Sequence, residues 1–537
     1  MQLKDSFYDV FLESAGAFQD KPLLILPQRQ ADAWGVPIEM TYGDTLEQIQ
    51  GLRRQYQAKG LRAGDRVALA FESRPEFVYH YLALNGLGVC VVPLNTDLTV
   101  SELSYQIGHA RCGAVIGLEV LEKQLASAIE ATGREVTLST HGPEGLGTIW
   151  RANDIVTPQS PLQRAAAILY TSGTTGKPKG CVLTNVYLQE SSAYNVRMPG
   201  HLAFAEGAER TMNPLPLYHL NAMVNTLGAA ILTGSAYVMP GRFSATNWWN
   251  DIAETKTTRF KYLGIMIPAL LGQPESARDR ESGVTCAFGA GVDPALHERF
   301  EKRFGIPLIE VWGMTETGRI LIVDREPRHI HTRACGRPQA GLQARIVNDA
   351  GEPVPDGTVG ELVVRHSAEN PRYGFFDSYL DDPVATEAAW EGGWFHSGDL
   401  CTRAEDGMFT FVDRKKNIVR RSGENISSAE VEAVLVECPH VKQVAVMAAP
   451  DELRDEEVLA CVITTGDDVR DHALALSIFH FVQERLAYYK TPGWIYFVDE
   501  LPVTGTQKVQ KHRIFPNGFN PNVPHIHDLR SYKRWKK

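Results

Sequence analysis

Residues 64–95 read GDRVALAFESRPEFVYHYLALNGLGVCVVPLN. The apolar run Val67 to Phe71 suits a buried strand. A helix begins near Pro75, where a proline is pre-organised for the first helical turn. A second apolar run, Val89 to Pro93, then suits another strand. Strand, helix, strand over some thirty residues is the rhythm of a parallel, doubly wound sheet with helices on its faces. The rhythm returns at 227–240, LGAAILTGSAYVMP, and at 283–313, where a strand, a Gly-containing turn, a helix from Pro294 to Phe304 and another strand follow in order. Between about Gln343 and Asp413 the texture changes to short strands separated by Gly, Pro and Asp, as in ARIVNDAGEPVPDGTVGELVVR. These read as hairpins of a smaller β-rich subdomain. The cationic run Arg414-Lys415-Lys416 follows, then a compact α+β segment to about Phe515. The fold class expected is α/β: a large N-terminal domain of doubly wound sheets plus the β-rich subdomain, and a small mobile α+β C-terminal domain.

Five hundred and thirty-seven residues exceed what one core accommodates, so two or three domains are expected. Hydrophobic residues at 44% and charged residues at 22% match an ordinary globular protein, and a net charge of −10 supplies no general field for nucleic acid. The eight cysteines lie far apart, with neither CxxC nor zinc-ribbon spacing. They read as free thiols of a reducing cytoplasm rather than a disulfide framework or a zinc site. The N-terminal residues lack the basic start and apolar run of a signal peptide, and the most apolar stretch, Tyr81 to Leu94, is too short to span a bilayer. A cytoplasmic protein without a membrane span is expected. Homo-oligomers remain open.

The chemistry starts at residues 170–180, YTSGTTGKPKG, which follow the apolar run AAAILY. Thr171, Ser172, Gly173, Thr174, Thr175 and Gly176 form a loop rich in backbone and hydroxyl donors, and Lys177 and Lys179 add positive charge, a combination that wraps phosphate oxygens. The Walker pattern fails, because Pro178 stands at the sixth position after Gly173. Instead the string resembles the TSGTTGxPKG signature of the adenylate-forming superfamily, which includes acyl-CoA synthetases, peptide adenylation domains and beetle luciferases.

Six more segments resemble that family's motifs, in order, between about residues 40 and 515. PLPLYHLNA (214–222), with His219, resembles the segment bordering the acyl pocket. FGAG, Phe288 to Gly291, resembles the adenine-contacting strand end and includes Gly289 and Ala290. VWGMTET, from Val311 through Trp312 and Gly313 to Thr317, resembles YGxTE with tryptophan in place of tyrosine; HSGDL (396–400) resembles the ribose-binding TGDL. DRKKNIVRRSGENISSAEVE (413–432) resembles the hinge and its hairpin, and PVTGTQKVQK (502–511) resembles the C-terminal lysine motif. Two departures are Asn185, where many members have histidine, and Gln507, where a glycine usually precedes the lysine.

The resemblance implies an N-terminal domain over 1–413 (with the β-rich subdomain at about 343–413), a hinge at 414–416, a C-terminal lid at 417–515 and a tail at 516–537. It implies ATP and coenzyme A as co-substrates with a carboxylic acid, and Mg²⁺ as cofactor. Thr315 would contact the α-phosphate, Glu316 the Mg²⁺ and Asp399 the ribose with Arg414 beside it. Trp312 would stack on adenine, and Lys508 would bridge carboxylate and phosphate. Lys416 aligns with the hinge, and Gly423 and Glu424 fall in the hairpin on the coenzyme A side. A carrier-loading adenylation enzyme and a nucleotide sensor are the alternatives. For the acid, LLGQPESARDR (270–280) and ELRDEEVLACV (452–462) resemble the crotonobetaine/carnitine-CoA ligase branch, and Tyr218, Phe288 and Trp312 suit a cage for its quaternary ammonium. Arg319 pulls the other way: either it lines the acyl pocket and pairs with an anionic far end, or it points outward to Asp324 or Glu326. A small or medium acid with a polar or anionic far end is expected. The final KRWKK reads as a solvated basic tail.

Overall fold

The structure is a computed structural model. It describes the chain except residues 1, 141, 150, 152–156, 172–177, 278, 415–417, 467–468, 503–508, 510, 512–513, 516–517 and 534–537, and gives backbone alone at 413, 414, 418, 425, 427 and 429. The chain divides into two compact units. One comprises Met1–Thr96, Gln106–Leu169 and Gly180–Asp413; the other comprises Asp97–Tyr105, Tyr170–Lys179 and Arg414–Lys537.

In the larger unit the quoted stretch forms strand Arg66–Ala70, helix Pro75–Asn85 and strand Cys90–Pro93, with Pro75 at the helix start. The two strands pair in parallel, Arg66 opposite Cys90. They are neighbours in a seven-stranded sheet that also holds Ala165–Thr171 and Lys179–Thr184, the strands flanking the phosphate-loop motif.

A second, eight-stranded sheet runs in the order Ile320–Ile322, Leu308–Gly313, Cys286–Ala290, Arg259–Leu263, Arg210–Met212, Ala236–Val238, Pro22–Ile25, Glu39–Thr41. Its two faces differ. Phe260 and Tyr262 pack with Trp248, Phe300 and Phe304 in one apolar cluster. Cys286, Phe288 and Ile309 belong instead to the main core, with Tyr187 and Tyr194 of helix Asn185–Val196. Asn185 is explained here. Buried, it accepts from the backbone N–H of Phe7 and from Asn85 Nδ2, and donates to the carbonyl of Pro161. Its two-sided amide ties three segments together, a role imidazole would fill less completely.

The β-rich segment forms a five-stranded sheet in the order Ala334–Gly336, Phe409–Arg414, Phe395–Arg403, Gly360–Arg365, Gln343–Val347. Its first edge strand precedes the expected start at 343.

In the smaller unit, strands Ile418–Arg421 and Glu424–Ser427 form a hairpin, and Val441–Asp451 pairs along its length with Asp455–Thr464. The solvated ending expected for KRWKK is corrected at its first residue, Lys533; residues 534–537 lie outside the described residues. Ile526–Asp528 adds an antiparallel strand to Trp494–Phe497, Leu529 is fully buried, and Lys533 Nζ lies on Glu457 Oε1. An open sheet edge needs a partner for its backbone groups, and the backbone of Ile526–Asp528 supplies one. All eight cysteines are buried and outside any disulfide. Among the described residues no helix is long and apolar enough to cross a membrane.

Candidate active site

Strand Leu308–Gly313 runs parallel to Cys286–Ala290 and returns through a six-residue loop to the antiparallel strand Ile320–Ile322. That loop holds Thr315, Glu316 and Arg319, and it is braced from within. Thr317 Oγ1 donates to the Arg319 carbonyl at 2.8 Å, and the Gly318 N–H reaches Met314 O at 3.3 Å. Gly318 is required here. Its φ is +60°, and a Cβ would stand 2.7 Å from the Tyr187 ring, whose hydroxyl donates to the Thr315 carbonyl. Glu316 is 5% exposed; Tyr379 donates its hydroxyl to Glu316 Oε1 at 3.0 Å, and the Phe376 N–H donates to the Glu316 carbonyl. Burial, and then the Glu316 charge, raise the Tyr379 pKa, so this hydroxyl keeps its proton.

Asp399 lies within strand Phe395–Arg403, the middle strand of the five-stranded sheet, rather than in a turn between strands. The pairing with Gly360–Arg365 slips between Glu361 and Val363, so the strand bulges around 397–399. Gly398 takes φ +71° there and donates its N–H to Glu361 Oε1. A bulge re-aims one side chain. Here the buried Asp399 carboxylate accepts the indole N–H of Trp312 at 2.8 Å. Trp312, expected to stack on adenine, is 6% exposed and anchors Asp399 by its edge.

The FGAG segment ends strand Cys286–Ala290. A Cβ on Gly289 would meet the Tyr262 carbonyl at 2.0 Å, and Gly291 takes φ +83°. The Gly291 N–H donates to Glu310 Oε2 at 2.8 Å, and the Tyr262 hydroxyl donates to Glu310 Oε1. Burial pushes the Glu310 carboxyl up to about 7, against the hydrogen bonds it accepts. Sequence reasoning missed Glu310; its signal is a lone acid in the otherwise apolar run LIEVWG.

On the acyl side, His219 precedes a π-helical turn, Asn221–Thr226, a distortion frequent at functional sites. Burial lowers its pKa to about 4, so the imidazole is neutral at physiological pH. Arg319 corrects the outward alternative. Asp324 pairs with Arg325 and Arg337, and Glu326 with Arg328. Arg319 is 1% exposed, lies between the Tyr194 and Phe375 rings, and finds its carboxylate, Glu190, only at 3.8 Å. Gly374, at φ +71°, leaves room for it: a Cβ there would stand 2.5 Å from Nη2. Phe288 holds a cation on its ring face, since Lys261 Nζ lies 3.4 Å from the centroid. That face is therefore taken, which weighs against the aromatic cage for a quaternary ammonium.

Thr171 closes one strand and Lys179 opens the next. Ser422 and Gly423, at φ +51° and +88°, are the two-residue turn of the hairpin in which Arg421 faces Glu424. Two positive φ values define the turn that matches strand twist, and glycine suits its second position. Ser172, Gly173, Thr174, Thr175, Gly176, Lys177, Lys416 and Lys508 lie outside the described residues, as does the side chain of Arg414.

A family model described as AMP-binding enzyme matches residues 11–373, and one for the AMP-binding enzyme C-terminal domain matches 430–508. The chain belongs to this family of adenylate-forming enzymes. It is 31% identical to a sulfoacetate–CoA ligase of Cupriavidus necator, over 93% of this chain and 95% of the relative. It is 29% identical to a crotonobetaine/carnitine–CoA ligase of Salmonella arizonae, over 93% and 97%. Its fold resembles that of a double mutant of o-succinylbenzoate CoA synthetase from Bacillus subtilis bound to a product analogue, with a TM-score of 0.80, 25% identity and coverage of 95% and 98%. The enzyme is an AMP-forming acid–CoA ligase.

Proposed function

We propose that this ligase couples a small or medium carboxylic acid with a polar or anionic far end to coenzyme A through an acyl-adenylate. The observation that carries the reading is a pair of buried carboxylates flanking one strand end. Asp399 is held by the Trp312 N–H, and Glu316 by the Tyr379 hydroxyl. In the first half-reaction a substrate carboxylate oxygen attacks the α-phosphorus of ATP and pyrophosphate leaves. In the second the coenzyme A thiol attacks the acyl carbon, loses its proton, and AMP leaves.

Asp399 accepts the ribose hydroxyls, with Arg414 beside it, while Gly289 to Gly291 and Val311 to Gly313 border the adenine. Thr315 donates to the α-phosphate. The loop from Thr171 to Gly176 and Lys179 hold the leaving phosphates. Glu316 would hold Mg²⁺. Among the described residues no cluster of three or more His, Cys, Asp or Glu forms a metal cage, and Mg²⁺ suits one carboxylate completed by phosphate and water. When bound, Mg²⁺ offsets the charge that opposes attack of one anion on another. Lys508 bridges the carboxylate and the α-phosphate. Rotation about Lys416 then brings Gly423 and Glu424 to the pantetheine arm. His219, Phe288 and Arg319 border the acyl group. The sulfoacetate–CoA ligase relative, named for an acid with a sulfonate at its far end, supports an anionic substrate.

Lys508→Ala should lower pyrophosphate release by about 10²–10³-fold, the effect of one lost electrostatic donor. Thioester formation from pre-made acyl-adenylate should persist. Equal losses in the two assays would place the lysine elsewhere. Lys416→Pro, which locks φ near −65°, should spare adenylation and slow thioester formation; a parental rate there removes the hinge assignment.

A further inference from the structure

Strand Arg259–Leu263 carries two buried cations on the same face, two residues apart. Arg259 is fully provided for. Glu209 accepts from Nε at 3.1 Å and from Nη2 at 2.8 Å, the carbonyls of Leu202 and Ala203 accept two more bonds, and the Phe204 ring covers the guanidinium. Lys261 is 4% exposed, and among the described residues its ammonium makes no ion pair and donates no hydrogen bond. It has only the Phe288 ring, its directly paired neighbour on the next strand. An ammonium without a counter-ion costs folding free energy, so such groups are ordinarily paired or replaced. Burial, with Arg259 nearby, depresses the Lys261 pKa well below its ordinary value, the direction an approaching anion would reverse.

Position supplies the second argument. Phe288 lies three residues, about 10 Å of extended chain, below Gly291 at the strand end where the adenylate is read to form. Lys261 is level with Phe288, at a depth suited to the far end of a short acid. Arg319 keeps a carboxylate, Glu190, at 3.8 Å, although its Nε and Nη1 are buried without a hydrogen bond; among the described residues Lys261 has no carboxylate at all.

We propose that Lys261 is a specificity-determining residue that binds a second anionic group, carboxylate or sulfonate, at the far end of the substrate acid, against Phe288. This rests on the reading of Phe288 as a wall of the acyl pocket. Once bound, the anion takes the place that Glu209 fills for Arg259.

The test uses the full-length enzyme with ATP and coenzyme A, and compares propionate, succinate and 3-sulfopropanoate in the parent, Lys261→Met and Lys261→Gln. The parent should favour at least one of the two dianions over propionate in kcat/KM by at least about a hundredfold, more than an apolar pocket gains from one added group. Both variants should lose most of that preference through KM while keeping their activity on propionate. A parent that favours propionate overturns the proposal, as does an unchanged ratio in both variants or an equal loss on all three acids. Loss confined to succinate or to 3-sulfopropanoate identifies the anion. Failure of every acid to release AMP with the parent would instead strike the proposed acid class itself.

Discussion

Buried cations are treated differently in the two units. Among the described residues of the smaller one, each is matched by carboxylate. Lys490 lies 2.7 Å from Glu102 and 2.8 Å from Glu430, and those acids raise its pKa against the effect of burial. Arg421 and Lys533 share Glu457, whose side chain is fully buried. In the larger unit Arg259 follows the same rule with Glu209, yet among the described residues Lys261 has no carboxylate and Arg319 has one only at 3.8 Å. A charge balanced by the protein holds the fold together, whereas a charge left over is the one we propose to be balanced by the substrate.

The sharpest way to break this contrast is to remove the shared acid. Glu457→Ala should destabilise the smaller unit by about 3–5 kcal/mol, because Arg421 and Lys533 then stay buried without their shared carboxylate. Denaturant unfolding, followed by protease sensitivity of the C-terminal region, measures it; a loss below about 1 kcal/mol would mean that water already reaches the triad. The same experiment on Lys261→Met should give the opposite sign. Replacing an unpaired buried ammonium with an apolar chain of similar length should leave stability unchanged or raise it by about 1–2 kcal/mol. Destabilisation would show that Lys261 has a structural task.

The smallest effect concerns Glu310. Its folded pKa, about 7, lies above the ordinary carboxylate value of 4.5. The protonated form therefore stabilises the fold fully below about pH 4.5, and that contribution is lost as pH rises through 7. Thermal melts of Glu310→Gln against the parent should separate progressively in favour of the variant between pH 5 and pH 8. A constant difference across that range would show that the Gly291 and Tyr262 hydrogen bonds already keep Glu310 ionised.

The legible part of this protein is what depends on near neighbours in the chain. The strand–helix–strand rhythm of 64–95 became the expected elements to within a residue or two, and the ordered motifs carried the family. The turn at Ser422–Gly423 and the loop glycine Gly318 belong to the same class, since backbone angle constrains residue type locally. The β-rich sheet was visible as texture, but the bulge that aims Asp399 was not, because register between strands leaves no mark in either strand alone.

The amino-acid sequence by itself determined the alternation of elements, the phosphate-loop motif, the acids and lysines available for adenylate chemistry and the class of ligase. Only the tertiary structure decided which charges meet. Trp312 and Asp399 are 87 positions apart, and Lys533 reaches Glu457 from a tail that composition marked as solvated. Arg319 turned inward to Glu190, while Arg259 and Lys261, alike in type and facing, received different surroundings. The physical reason is that burial and charge balance are set by strand register and packing between distant segments, and a lysine's letter is the same whether or not a carboxylate folds against it.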